Sequence, residues 1–264
     1  MINFFKTLII SLFLTSCTIT DSGPETPGQS QISSEAASAS AASIEVVNFP
    51  TSGLSAQESR VRKAAVRVMT EHGHGSGTYM MLKGFPIVVT AAHVIDDPNN
   101  MFYRVGGING EVVNATRIYF DERIDVGVLL LDSKMQTREH MPYQRSKKIS
   151  RVGTRLVYSG YPSSHDLLTI RGMIAGYGAY NGKTIVLMHG YGWFGCSGSG
   201  IFDDVGNFVG VLWGVDIEGV AGLPQVVEDI IWITPSKNID HDAILKGACM
   251  TSGSTKRACK KYIE

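Results

Sequence analysis

The sequence predicts an all-β chain, built as barrels or a sandwich, and three observations carry that reading. About a dozen short runs of β-branched and aromatic residues recur along the chain, each bounded by Gly, Pro, Asn or Asp. Glycine is abundant, at 29 of 264 residues, which suits many tight turns. No long amphipathic helix separates the runs, so the βαβ alternation of a parallel sheet is missing. Hydrophobic residues make up 44% and charged residues 18%, enough to bury the core of one large domain or two modest ones. The formal net charge is zero, which removes the basic stripe needed to neutralise phosphates, and no nucleic-acid partner is expected.

Taken in order, the chain opens with a leader. Lys6 is followed by the apolar run Thr7 to Leu14, too short to span a bilayer and suited to the apolar core of a signal peptide. The run ends in Leu14-Thr15-Ser16-Cys17, which resembles a bacterial lipobox. Residues 1–17 are therefore expected to be a lipoprotein signal peptide with Cys17 as the acylated residue. Several acyl chains anchor firmly, at about 0.8 kcal/mol per buried methylene. Thr18 stands where an aspartate would favour inner-membrane retention, so the expected address is the outer membrane or the periplasmic face of the envelope. Residues 18–54, with the stretch Ser33 to Ser43 of Ser, Ala and Glu, have no apolar periodicity and read as a flexible tether.

The globular part is expected over residues 55–246. Ala56 to Val66 reads as a short helix leading into a strand at Ala65–Met69. Strands are expected at Thr78–Leu82, Ile87–Ala91, Val112–Phe120, Val126–Leu131, Arg155–Ser159 and Thr169–Tyr177. Four more follow at Thr184–Met188, Gly200–Phe202, Phe208–Trp213 and Ile230–Ile233, and Asp240–Lys246 opens a short closing helix. Residues 247–264 form a polar, basic tail. Export implies an oxidising compartment, so Cys249 and Cys259 are plausible disulfide partners.

Three motifs carry chemistry. Val88-Val-Thr-Ala-Ala-His-Val94 ends an apolar strand in small residues and a histidine at the turn. Asp125-Val-Gly-Val-Leu-Leu-Leu131 puts an acid at the opening of an apolar strand; Asp96, Asp121 and Asp132 compete for that role less well. Gly195-Cys-Ser-Gly-Ser-Gly200 sets Ser197 between glycines that let backbone N–H groups aim into one pocket. Peptide hydrolysis needs a nucleophile, a base, a group that orients the base, and donors for an oxyanion. The order His, Asp, Ser is the order of chymotrypsin, unlike that of subtilisin or the α/β-hydrolases.

These motifs resemble the Thr-Ala-Ala-His, Asp-(Ile/Leu)-Ala-(Val/Leu)-Leu and Gly-x-Ser-Gly segments of trypsin-like serine proteases, in their HtrA form. Gly75-Ser-Gly77, Ser159-Gly-Tyr-Pro162, Thr169 to Ala175 and Ile233-Thr-Pro-Ser236 match the same family, so the resemblance covers roughly Ala64 to Ile244. It implies two six-stranded antiparallel barrels with the active site in the seam. It also implies His93, Asp125 and Ser197 as catalytic residues, with the N–H groups of Gly195 and Ser197 as the oxyanion hole. The same pattern puts Tyr191, Leu212, Trp213 and Gly214 around the pocket for the substrate residue before the cleaved bond. With no charge among them, a small or apolar residue is expected there.

Two departures matter. Cys196 replaces the acid that pairs with a freed N-terminus in activated zymogens, so that activation is not expected. The Gly-x-Ser-Gly register gives the nucleophile's seat to Ser197 and withholds it from Cys196. No PDZ domain is expected after the barrels. No cofactor is called for, and His72 and His74 lack a Cys or carboxylate partner in register, so no metal is expected either. The partners implied are protein or peptide substrates and the membrane that holds the anchor. Two other readings compete: a binding protein on an inactive protease fold, and an esterase using the same triad.

Overall fold

A computed structural model of the chain describes residues 53–71, 73–144, 150–220 and 223–263. The expected leader with Cys17, nearly all of the tether, and His72 lie outside them. The first described element is α1 (Ala56–Ala64). Ser55 caps it: its hydroxyl accepts the Glu58 N–H at 3.2 Å, and the Glu58 carboxylate accepts the Ser55 N–H at 2.7 Å. Glu58 also pairs with Arg171, whose hydrogen bond holds the Glu58 carboxyl down at about 2. Among the described residues no helix is long and apolar enough to cross a membrane.

The first barrel is built from β1 (Ala65–Thr70), β2 (Gly73–Leu82), β3 (Phe85–Thr90), β4 (Phe102–Gly106), β5 (Val112–Asp121) and β6 (Val126–Leu131). The strands run β1-β4-β5-β6-β3-β2, and β1 pairs back on β2 to close the ring. The two-residue β7 (Met141–Pro142) adds to β2 in parallel. The second barrel is built from β8 (Arg155–Gly160), β9 (Leu168–Tyr180), β10 (Lys183–His189), β11 (Gly200–Asp203), β12 (Phe208–Val220) and β13 (Leu223–Pro235). It closes in the order β10-β13-β12-β11-β8-β9. The fold is thus nearly all-β, with two six-stranded antiparallel barrels. Hairpin chemistry agrees with this: Lys83-Gly84 and Asn181-Gly182 each join two strands with positive φ at both positions.

Three apolar clusters hold the barrels. Leu129 and Leu131 of β6 point into the first barrel with Val66, Val68, Val88 and Val105. Val126, Val128 and Leu130 of the same strand face the other way, into a cluster that includes Val157, Phe202, Phe208 and Val211 of the second barrel. Both faces of β6 are buried, which is why the strand reads as an unbroken apolar run. Leu156, Tyr158, Ile174, Val186, Ile201 and Ile233 fill the second barrel.

The structure differs from the sequence reading at several elements. β4 and β7 were not expected, and β12 and β13 run on past the barrel wall into a long hairpin. The closing helix, α2 (His241–Ser252), continues through Gly247 to Ser252, with Asp240 as its N-cap and Gly253, at φ 58°, ending it. The segment after it packs inward. Cys249 and Cys259 form a disulfide and are fully buried beside Ile244, Leu245 and Ala248. A cross-link over so short a loop stabilises by about 2–3 kcal/mol, chiefly by limiting the unfolded chain.

Candidate active site

β3 delivers the histidine. After Thr90 the chain turns through a short 3-10 segment, Ala92–Ile95, that carries His93. Asp125 precedes β6, the neighbour of β3, so the two side chains meet. Asp125 Oδ2 accepts from His93 Nδ1 at 2.7 Å, and Oδ1 accepts the His93 backbone N–H at 2.9 Å. Both carboxylate oxygens are therefore spent on one residue. The bond fixes the tautomer: the proton sits on Nδ1, and Nε2 keeps its lone pair. Gly127 makes this approach possible, because a Cβ there would overlap the Ile95 side chain two residues beyond His93.

The His93 side chain is 46% exposed and that of Asp125 is 15% exposed. Crowding by protein opposes the charged imidazolium, but the hydrogen bond and charge of Asp125, with the charge of Asp96, outweigh it and hold His93 above its ordinary value. Asp125 adopts φ 50°, a left-handed conformation that aspartate tolerates better than most residues. Asp121 pairs with Arg123 at 3.0 Å, and the charge of Asp96 also acts on His93.

The second barrel delivers Ser197, on the loop between β10 and β11. Its carbonyl accepts the Ser76 N–H of β2 at 2.8 Å. Gly75 next to it has Val94 and the Ser197 carbonyl against the face where a Cβ would stand. The serine is thereby docked on the strand that also supports the residue after His93.

The two N–H groups expected to bind an oxyanion are oriented by the peptides they belong to. Trp193 to Cys196 form a turn closed by Cys196 N–H on Trp193 O at 3.0 Å, with Gly195 at φ 93° in the third position. Such a turn needs glycine there. The Phe194 carbonyl accepts the Ser163 N–H at 2.6 Å. In a planar trans peptide the N–H points opposite to the carbonyl, so the Gly195 N–H faces away from Ser163. By the same rule Ser199 N–H, at 3.0 Å from Cys196 O, turns the Ser197 N–H the other way. Among the described residues neither N–H has a hydrogen-bond acceptor.

Cys196 is fully buried in the second barrel's core, and its thiol meets the Tyr158 hydroxyl at 3.6 Å. Burial pushes the thiol up, which suppresses the thiolate that a nucleophile needs.

The expected pocket residues part company. Leu212, expected at the pocket wall, faces inward. Its side chain is 1% exposed and packs inside the barrel, while its N–H and carbonyl are taken by Ser199 and Gly198. The register shift between Leu212 and Gly214 leaves Trp213 on a bulge, where it packs against Tyr180 at 4.8 Å and Trp232 at 5.1 Å. Gly214 lies against the Trp232 ring. Tyr191 is exposed, and its carbonyl accepts the Tyr158 hydroxyl at 2.5 Å. Gly192 lies tight against Ile231 and Val215, so the space behind that loop is filled by apolar side chains. His189 contacts the Asp229 carbonyl at 3.2 Å, and His74 contacts the Tyr161 carbonyl at 3.0 Å. Among the described residues no cluster of three or more metal-ligating side chains occurs.

Comparison with known proteins adds to this geometry. Residues 75–211, just over half the chain, match the family described as Trypsin-like peptidase domain. No curated protein sequence matches the chain. Among solved structures it is similar to the Rv3671c protease of Mycobacterium tuberculosis, a serine-to-alanine mutant in its inactive form. The TM-score is 0.55 at 17% identity, over 79% of this chain and 95% of that one. It is also similar to a serine endoprotease from Yersinia pestis, with a TM-score of 0.54 at 19% identity, over 77% of this chain and 66% of that one.

Proposed function

The chain belongs to the family of trypsin-like peptidase domains, and from that premise we propose that it is a serine endopeptidase working through an acyl-enzyme at the bacterial cell envelope. One observation carries the chemistry: His93 is bound twice by Asp125, while the loop bearing Ser197 leaves the Gly195 and Ser197 N–H groups without acceptors among the described residues. In this reading Ser197 Oγ attacks the scissile carbonyl carbon and its proton passes to His93 Nε2. The oxygen that gains charge is held by the two N–H groups. Collapse breaks the carbon–nitrogen bond, and His93 returns the proton to the leaving amine. Water then repeats the sequence on the ester and frees Ser197. Asp125 orients the imidazole and stabilises its cation.

Tyr191, Trp213 and Gly214 are assigned to substrate contact. The apolar backing of Gly192 by Ile231 and Val215 supports a small or apolar residue before the cleaved bond. Export with lipidation at Cys17 is supported by the leader and by the Cys249–Cys259 disulfide, which suits an oxidising compartment. Loss of radiolabelled palmitate from a Cys17→Ser chain is the expected outcome; retained label contradicts the anchor.

The activity is tested by incubating the full-length chain with labelled casein and with a small p-nitrophenyl ester. Cleavage of casein that vanishes in Ser197→Ala supports the endopeptidase. Ester turnover without casein cleavage points to an esterase, and neither activity points to a binding protein on an inactive fold.

A further inference from the structure

Ser76 makes four hydrogen bonds, and all of them reach the walls of the proposed site. Its hydroxyl donates to the Gly195 carbonyl at 2.6 Å and accepts the Tyr161 N–H at 2.9 Å. Its N–H takes the Ser197 carbonyl at 2.8 Å, and its carbonyl accepts the Thr90 hydroxyl at 2.8 Å, just before the histidine turn. The side chain is completely buried. We infer that Ser76 is a positioning residue for the oxyanion turn: its hydroxyl, bridging Gly195 and Tyr161, holds the Gly195 N–H toward the reacting carbonyl.

Gly195 has no Cβ to restrict its own rotation, so it is the residue least able to keep a chosen orientation unaided. Its peptide is held by ties from outside. The Phe194 carbonyl is bound by Ser163 N–H, and the Gly195 carbonyl by Ser76 Oγ. Both ties lead to the same short segment, since Ser76 Oγ also holds the Tyr161 N–H two residues before Ser163. Ser76 thus fastens the first barrel, the Tyr161–Ser163 segment and the oxyanion turn at one atom. Removing the hydroxyl frees one side of the turn and leaves a part-buried carbonyl and a buried N–H unpaired. The backbone bond from Ser76 to Ser197 survives any substitution except proline, so the nucleophile keeps its seat. A serine buried merely to satisfy two backbone groups would have no effect on chemistry beyond stability.

This inference rests on the serine-peptidase reading. The test is the second-order rate at which a fluorophosphonate probe labels the full-length chain, a reaction that also puts an oxygen into the oxyanion hole. Ser76→Ala is expected to label about 10–100-fold more slowly than wild type, somewhat less than the loss of a whole donor. The pH midpoint of the rate, set by His93, stays unmoved. Ser76→Cys, with similar volume and a weaker donor, falls between the two. Should Ser76→Ala fail to fold by circular dichroism, Ser76→Cys decides alone by the same criteria. An unchanged rate, or a fall accompanied by a shifted pH midpoint, overturns the positioning role. If wild type itself does not label, the peptidase reading falls and takes this inference with it, an outcome distinct from the other two.

Discussion

On the first-barrel side of the site, His93 is held by side-chain bonds: Asp125 grips its ring at 2.7 Å and its backbone N–H at 2.9 Å. On the second-barrel side, Ser197 and Gly195 are held mainly by main-chain bonds, through the carbonyls of Phe194, Cys196 and Ser197, with the Ser76 hydroxyl on the Gly195 carbonyl as the side-chain exception. The first arrangement depends on which functional groups are present. The second depends on conformation, and on leaving room where a Cβ would intrude. Exchanging one functional group should therefore break the first side, and adding a single carbon should break the second.

The largest expected effect comes from Asp125→Asn, which keeps the shape but turns an acceptor into a donor at Nδ1. The expected loss in kcat is about 10⁴-fold. The working form of His93 is neutral, so the rate climbs with pH through its midpoint. That midpoint lies above the ordinary histidine value because of Asp125 and Asp96. Without the Asp125 charge the rising limb moves to lower pH, and a pH profile of kcat/KM checks the direction.

Gly195→Ala is next. At φ 93° its methyl would run into the Tyr161 carbonyl, so the turn must shift and one donor is lost. A fall of about 10²–10³ in kcat is expected with a smaller change in KM. An active alanine variant would mean that the turn is not held as described. Cys196→Ala is the smallest effect on chemistry. Its rate should stay near wild type, while urea unfolding reports a loss of about 1–3 kcal/mol for the cavity beside Tyr158.

The same contrast explains what was legible in the sequence. His93, Asp125 and Ser197 stood out because each is a polar residue punctuating an apolar or glycine-rich run, and most strands showed as β-branched runs. β4 was hidden because its outward residue Phe102, 73% exposed, masks the alternation with buried Tyr103 and Val105. β7 is too short to leave a pattern. The tail looked polar because the disulfide, and not an apolar run, draws Cys249 and Cys259 inward. Local motif spacing does not show that the Leu212 side chain points into the barrel, nor the register shift after it that leaves Trp213 on the bulge. Ser76 lay within the Gly75-Ser-Gly77 match but drew no role. Its signal was a serine between glycines on a strand that runs into the core, a buried hydroxyl that must find partners.

The central claim is that Ser197 is the nucleophile of an assembled site. It is tested most directly by treating the full-length chain with a fluorophosphonate probe and mapping the adduct by mass spectrometry, with Ser197→Ala and Cys196→Ala alongside. One adduct is expected, on Ser197, in wild type and in Cys196→Ala, and none in Ser197→Ala. An adduct elsewhere, or a folded wild type that takes no label, would contradict it.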